Sequence, residues 1–465
     1  MNGGTQSGGT QATRADIANK PVRVRRVLTK SNIVAAIASS LFVQGCQFAY
    51  EILPSDQLDN AKVNQGGASP IDRAQPMVPD VVEDTMTPDE GSTGGSVATG
   101  GASSTGGASS TGGATNNNVP DDWWDEAFRT RLRVTIDDAN LSEDLKGFPL
   151  AVRLNDAAFE AAKAGMNGDG LRFLASDHVT ELAYEIELGA SIAESVVWVR
   201  VPNISSSTTN VPLWIYYDNP AASPGSNPSA VWSNSYLGVW HLNDDFIDST
   251  GGGHDGVSAG AVAAVGQTVG GYQFSAAGDS INLGSPAGLT NIFEGGATLS
   301  CWVNPQSFVL SIFPRLLDKS NSTVGGSGWA LQLDSGGGTP QLVFEHDFSV
   351  ELGRWRTEAD SILVPGWQGV TLTYDSTKML TAPLMYRDAI LLNVNPDAAT
   401  PDGVPPDDTG LDLHLGDRSA GDRGLDGFMD EVRISDVERS LSWIIQEQKC
   451  MSTGCSSLSE SETLD

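Results

Sequence analysis

RLRVTI, residues 131–136, alternates without a break: Leu132, Val134 and Ile136 face one way, and Arg131, Arg133 and Thr135 the other. A period of two is that of a half-buried β-strand, because successive side chains leave opposite faces of the backbone. The same rhythm returns in FPLAVRL, VVWVRV and PLWIYY. It continues in ATLSCWV, WALQL, QLVFE, GVTLTY, APLMY, AILLNV, LDLHLG and FMDEVRI. Stretches rich in Gly, Pro, Asp and Asn separate these runs. Many short strands with almost no helix predict an all-β chain built from two β-sandwich modules, the second a jelly roll. Two helices are expected: a short one over DAAFEAAKAG, with Asn155 as its cap and Gly165 ending it, and a final one over DVERSLSWIIQEQ, where Ser435 and Glu438 form a capping-box pattern.

The chain carries 58 acidic residues against 27 basic ones, a balance that disfavours nucleic acid and anionic membrane surfaces as partners. Its N-terminus reads as an export signal. KPVRVRRVLTK (20–30) supplies the positive charge, and the apolar IVAAIASSLFV (33–43) is too short to span a bilayer. The run ends in VQGC, so Cys46 stands where a lipoprotein signal places the cysteine that is cleaved and acylated. Residues 1–46 are therefore read as signal peptide. Residues 47–119 follow as a disordered acidic tether in which TGGASS repeats from Thr99, since such Gly/Ser/Thr sequence cannot bury enough surface to offset its conformational entropy. Residues 120–236 form the first β-sandwich, 237–450 the jelly roll, and 451–465 a C-terminal tail. Of the remaining cysteines, Cys450 and Cys455 enclose a short loop and are expected to pair after export. Cys301, inside an alternating segment, reads as a buried small hydrophobe.

Longer stretches resemble known families. RTRLRVTIDDANLSEDLKGFPLAVRLN, DGLRFLASD, YEIEL, VVWVRVPNIS and LWIYYDNPAA, followed by VWSNSYLGVWHLND and DSTGGGHDG, resemble the bacterial family called domain of unknown function 2341. From residue 237 onward, YQFSAAGDSINLG, ATLSCWVNP, WQGVTLTYD and GFMDEVRIS resemble laminin-G-like or concanavalin A-like jelly rolls. The resemblance implies an extracellular or surface-attached protein of the kind linked to glycan binding or adhesion. It implies no defined activity, because such folds host lectins, enzymes and spacers.

Several motifs invite a chemical reading. Gly251, Gly253 and Gly256 spell a dinucleotide-type pattern and Ser258 a hydrolase-type one, but neither has the strand before it and helix after it that its chemistry needs. Glycoside hydrolysis needs two converging carboxylates. Glu185 and Glu187 fall in the first module, and Asp430 and Glu431 are adjacent and point to opposite faces, so catalysis is not expected. In GFMDEVRIS, alternation sets Phe428, Asp430, Val432 and Ile434 on one face, which would leave a carboxylate among hydrophobes. A structural Ca²⁺ held by Asp248 and Asp430 is one way to satisfy it, and such an ion commonly links the first and last strands of these jelly rolls; hydrogen bonds are the other. The histidines form no cluster in sequence and take structural or exposed roles. Trp355, between Arg354 and Arg356, is the expected exposed platform for a glycan ligand.

The sequence thus predicts an exported protein, lipid-anchored at the outer membrane or cell surface (secreted in the alternative), with the anchor as its only membrane attachment. Its expected role is noncatalytic binding of an extracellular or cell-surface glycan, or adhesion. A glycoside hydrolase with another carboxylate pair is the first alternative, and an envelope protein without a small ligand the second.

Overall fold

In the computed structural model, which describes residues 119–464 apart from 139, 211, 322–325, 336 and 397–399, every pairing between strands is antiparallel. The export signal, Cys46 and the tether as far as residue 118 lie outside the described residues. The described residues belong to one compact unit in which two sandwiches pack together. No helix among them is long and apolar enough to cross a membrane.

The first sandwich sets a sheet centred on Thr130–Ile136 against a three-stranded sheet ordered Leu145–Arg153, Val196–Ile204, Tyr184–Glu187. Leu132, Val134 and Ile136 enter its core with Phe148, Val197, Trp198 and Ile215. Arg133 and Thr135 are exposed, but Arg131 is only 4% exposed. Its guanidinium lies 4.7 Å from the Trp123 ring and 4.6 Å from Trp214, and pairs with Glu462 at 2.8 Å.

That pairing corrects one boundary. Residues 451–465 are no tail: Ser456–Leu458 and Glu462–Thr463 pair with Thr130–Ile136 and complete the first sandwich's sheet. Among the described residues, the strands on either side of the jelly roll therefore share one module, with the jelly roll inserted between. The helices also differ from expectation. DAAFEAAKAG makes only a 3₁₀ turn, Ala161–Lys163, which Asn155 does not cap. The final helix, Leu441–Ser452, is capped by Ser440, whose hydroxyl accepts from the Trp443 amide. Ser435 instead ends a strand, and Glu438 binds Lys378.

The jelly roll stacks two eight-stranded sheets. One holds Asp426–Ser435 beside Ala297–Ser307, with Tyr236–Trp240 on its flank; the other holds Arg315–Ser320, Gly328–Asp334, Gln341–His346 and Gly353–Thr357 in sequence order. Between them lie Leu299, Leu331, Phe344, Leu372, Met429, Val432 and Ile434. Met429 and Val432 share this inner face although they are three residues apart. The register slips between Ser300↔Arg433 and Trp302↔Asp430, and Glu431 takes a left-handed backbone with φ 51°. A β-bulge of this kind turns the residues beyond it to the opposite face. The face expected from simple alternation is thereby broken: Val432 and Ile434 point into the jelly-roll core, while Asp430 belongs to the side facing the first module.

If the C-terminal strands are part of the first sandwich, deleting Ser456–Asp465 exposes one edge of Thr130–Ile136 and removes Glu462 from Arg131. The expected loss is at least about 2 kcal/mol, from ladder hydrogen bonds of net ~1 kcal/mol each. Thermal melting with limited proteolysis checks it: earlier melting and new cleavage within 119–136 are expected, whereas unchanged melting would return these residues to a loose tail.

Candidate functional site

Two constellations of charged side chains stand out, one open to solvent and one buried. The open one is the outer face of the second jelly-roll sheet. Because Leu331, Leu333, Phe344 and Trp355 point inward, their strand neighbours Gln332, Glu345, Arg354 and Arg356 point outward. With Arg315, Arg418, Arg423, Asp347, Phe313 and the edge of Trp329, they line a cleft of about 350 Å³. Gly328, at φ 102°, lets the chain turn at its base: a Cβ there would lie 1.9 Å from the Lys319 carbonyl oxygen.

Five arginines and two carboxylates line this cleft in a strongly acidic chain. Glu345 gathers three of the neighbours: Arg354 Nε at 2.6 Å, Gln332 Nε2 at 3.0 Å and Arg315 Nη2 at 3.9 Å. Arg315 Nε binds Asp318 at 2.8 Å, Arg356 binds Asp334, and Arg418 binds Asp422 at 2.5 Å. Hydrogen-bonding capacity nonetheless remains. Arg315 Nη1, Arg423 Nε and Gln332 Oε1 are buried without a protein partner. Burial, reinforced by Glu345 and Asp318, raises the Asp347 carboxyl to about 6.

The buried constellation lies where the sandwiches meet. Glu185 and Glu187 come from the first sandwich, His241 follows the strand Tyr236–Trp240, and Glu431 sits at the bulge. His241 Nδ1 is 2.8 Å from Glu431 Oε1 and 3.8 Å from Glu187 Oε2, and its Nε2 is 3.2 Å from Glu185 Oε2. Arg433 bonds Glu431 Oε2 at 2.5 Å and Glu447 Oε1 at 2.8 Å, with Trp198 and Trp232 at 4.4 and 4.8 Å. Burial would discharge His241, but Glu431 and Glu185 overcome it and raise its pKa well above the usual value. Burial beside Glu431 raises Glu187 strongly.

The predicted site residues fall unevenly on these two places. Arg354 and Arg356 line the cleft, but Trp355 is no platform: it is 3% exposed and stacks on Phe344 at 5.8 Å. It lies in a strand, Gly353–Thr357, so its flanking arginines take the opposite face. Asp248 and Asp430 have separate partners. Asp248 Oδ1 accepts from the Val239 and Thr250 amides, and its Oδ2 lies 3.2 Å from His254 Nδ1. Asp430 Oδ2 accepts from the Gln267 and Thr268 amides at 2.6 and 2.9 Å. Among the described residues, the ligand atoms that converge closely enough for a metal are those of Glu187, His241 and Glu431. The Asp248 and Asp430 carboxylates, expected to share a Ca²⁺, are each engaged by the amides of their own neighbouring segments. Cys450 and Cys455 are joined as a disulfide, and Cys301 is buried with its thiol pushed up to about 12. Ser258 sits in the short strand Val257–Ala259 with its hydroxyl on the Ala261 carbonyl, away from any nucleophile elbow.

Sequence reasoning missed the pair Glu345 and Asp347, although EHD places them two apart and so on one strand face. It also missed the junction, whose members are scattered between residues 185 and 447.

Residues 275–445 match the family model described as concanavalin A-like lectin/glucanases superfamily, and residues 167–252 match the domain of unknown function 2341. The two-module order expected from the sequence motifs is thus found in both the fold and the family matches. The chain is similar to the binding domain of Paraclostridial Mosquitocidal Protein 1, with 14% identity, TM-score 0.37, and coverage of 47% of this chain and 52% of that one. It is also similar to Domain 4 of AbnA, an extracellular arabinanase of Geobacillus stearothermophilus in complex with arabinotriose (15% identity, TM-score 0.33, 45% and 97% coverage). A Trypanosoma rangeli sialidase gives 15% identity and TM-score 0.36, over 50% of this chain and 35% of that one. The chain spans about half the length of the toxin binding domains it matches. No curated protein matches it.

Replacing Trp355 separates a core role from a ligand platform. Trp355→Ala is expected to cost about 3–5 kcal/mol of folding stability, as for a large buried aromatic. Chemical denaturation measures this; an unchanged midpoint would return Trp355 to the surface.

Proposed function

We propose that this chain is a noncatalytic binding protein that recognises an acidic carbohydrate in the arginine-lined cleft of its jelly roll, displayed outside the cell through lipid attachment at Cys46. The supporting observation is the cleft itself. It concentrates five guanidinium groups on a chain of formal net charge −31. Guanidinium forks suit carboxylate and sulfate geometry. Export and anchoring rest on the sequence of residues 20–46.

The test is a panel of neutral, carboxylated and sulfated polysaccharides. Saturable binding is expected for the acidic members only, weakening with salt as charge contacts are screened. Arg423→Ala and Arg354→Ala should each lower affinity about tenfold, the effect of losing ~1.4 kcal/mol. Binding should also weaken as pH rises through about 6, because Asp347 then gains negative charge beside the anion. Equal binding of neutral and acidic members would contradict the assignment.

A second reading is a glycoside hydrolase, favoured by one observation: Glu345 and Asp347, whose carboxyl burial raises to about 6, line the same cleft. Two carboxyls in one cleft, one of them raised towards neutrality by burial, resemble the carboxylate pair such hydrolysis uses. Release of reducing ends that is abolished in Asp347→Asn would establish it. Binding without turnover retains the noncatalytic reading.

A further inference from the structure

We propose that the junction between the two sandwiches is a structural site for a divalent transition-metal ion, with Zn²⁺ as the reference occupant. Its ligands are His241 Nδ1, Glu187 and Glu431 Oε1, which converge, and Asp430, outside that group, would complete the set by a shift of its side chain. All four residues are at least nine-tenths buried.

Glu185 Oε2, 3.2 Å from His241 Nε2, takes the proton on that nitrogen. On the other side of the ring Nδ1 faces carboxylate oxygens of Glu431 at 2.8 Å and Glu187 at 3.8 Å, and a metal bound there would take the place of the proton that the charged imidazole otherwise carries. Acceptor atoms that converge in a water-poor interior need something positive among them, a proton or a metal ion. Two ligands of a tetrahedral ion with bonds near 2.0 Å stand about 3.3 Å apart, a spacing the two observed distances bracket.

A proton on Nδ1 would satisfy only one of these oxygens. Asp430 supplies the independent observation. Its Oδ1 is fully buried with no hydrogen-bond partner. Its Oδ2 reaches the Thr268 hydroxyl at 3.2 Å, and that same hydroxyl lies 3.0 Å from Glu187 Oε1 and 3.3 Å from Glu431 Oε1. Three carboxylates thus crowd a single hydroxyl, which has one proton to give. An ion accepts from all of them at once.

The outer partners are those a bound metal needs. Glu185 orients the imidazole, Trp198 Nε1 holds Glu187 Oε2 at 3.0 Å, and Arg433 holds the far oxygen of Glu431. Imidazole with carboxylates suits zinc and its neighbours better than calcium, which takes oxygen ligands. The three residues are buried, so the role is to fasten the first sandwich's Glu187 to the jelly roll's His241 and Glu431.

The test uses the full chain, loaded with Zn²⁺, freed of excess by gel filtration and assayed for metal. About one tightly held ion per chain is expected, as in closed protein zinc sites. X-ray absorption should show one nitrogen and otherwise oxygen ligands, without sulfur, and chelation should lower the melting midpoint by several degrees. Glu187→Gln keeps an acceptor for Trp198 while removing a ligand charge; it should fold, as judged by circular dichroism, and lose the ion. The proposal is overturned by less than about a tenth of an ion per chain where a structural site would hold one. Metal retained unchanged in both Glu187→Gln and His241→Asn overturns it equally, since the ion then sits elsewhere.

Discussion

Arg433 is the residue on which the architecture turns. Its guanidinium is 1% exposed, bonded to Glu431 and Glu447 and enclosed by Trp198 and Trp232 of the first module. A charge taken so completely out of water is tolerable only with its partners in place, and removing one of them typically costs 3–5 kcal/mol, an order-of-magnitude figure for broken buried pairs. Those partners come from three sources: the bulged strand carries Glu431, the final helix carries Glu447, and the first sandwich supplies the indole faces. Each element is thereby held to the other two. The helix adds its own ties, with Trp443 against Phe148 at 4.9 Å and Lys449 on Asp137 at 2.8 Å.

This junction also decides which surface is left for a ligand. The sheet holding Asp426–Ser435 spends its outer face on the first sandwich, where Trp302 and Tyr236 join that module's core cluster. The opposite sheet keeps its outer face, and the arginine cleft lies there. Insertion of the jelly roll between the first and last strands of the other sandwich fixes both ends of the inserted chain. The binding face is thus presented by a body with two points of attachment rather than by a bead on a linker.

Much of the fold was legible in the sequence because period-two alternation is a local signal: RLRVTI, VVWVRV and WALQL each became the strand they predicted. What failed was alternation carried across an irregularity. One left-handed residue, Glu431, reverses the faces of GFMDEVRIS and moves Asp430 from the jelly-roll core side to the junction. Trp355 shows the converse: RWR alternates, and following that pattern would have buried the tryptophan and turned the arginines out. The cleft was half legible, through Arg354 and Arg356. The junction was not, because Glu185, His241, Glu431 and Glu447 are brought together only by the closing of both sandwiches. The pairing of Ser456–Leu458 with the first strand was hidden for the same reason.

The buried charges hold the two sandwiches together as one body that is expected to unfold cooperatively. Scanning calorimetry of the full chain, comparing calorimetric with van't Hoff enthalpy, tests it most directly. A single transition with the two enthalpies equal is the predicted result. Two resolved transitions, one sandwich melting while the other stays folded, would contradict it.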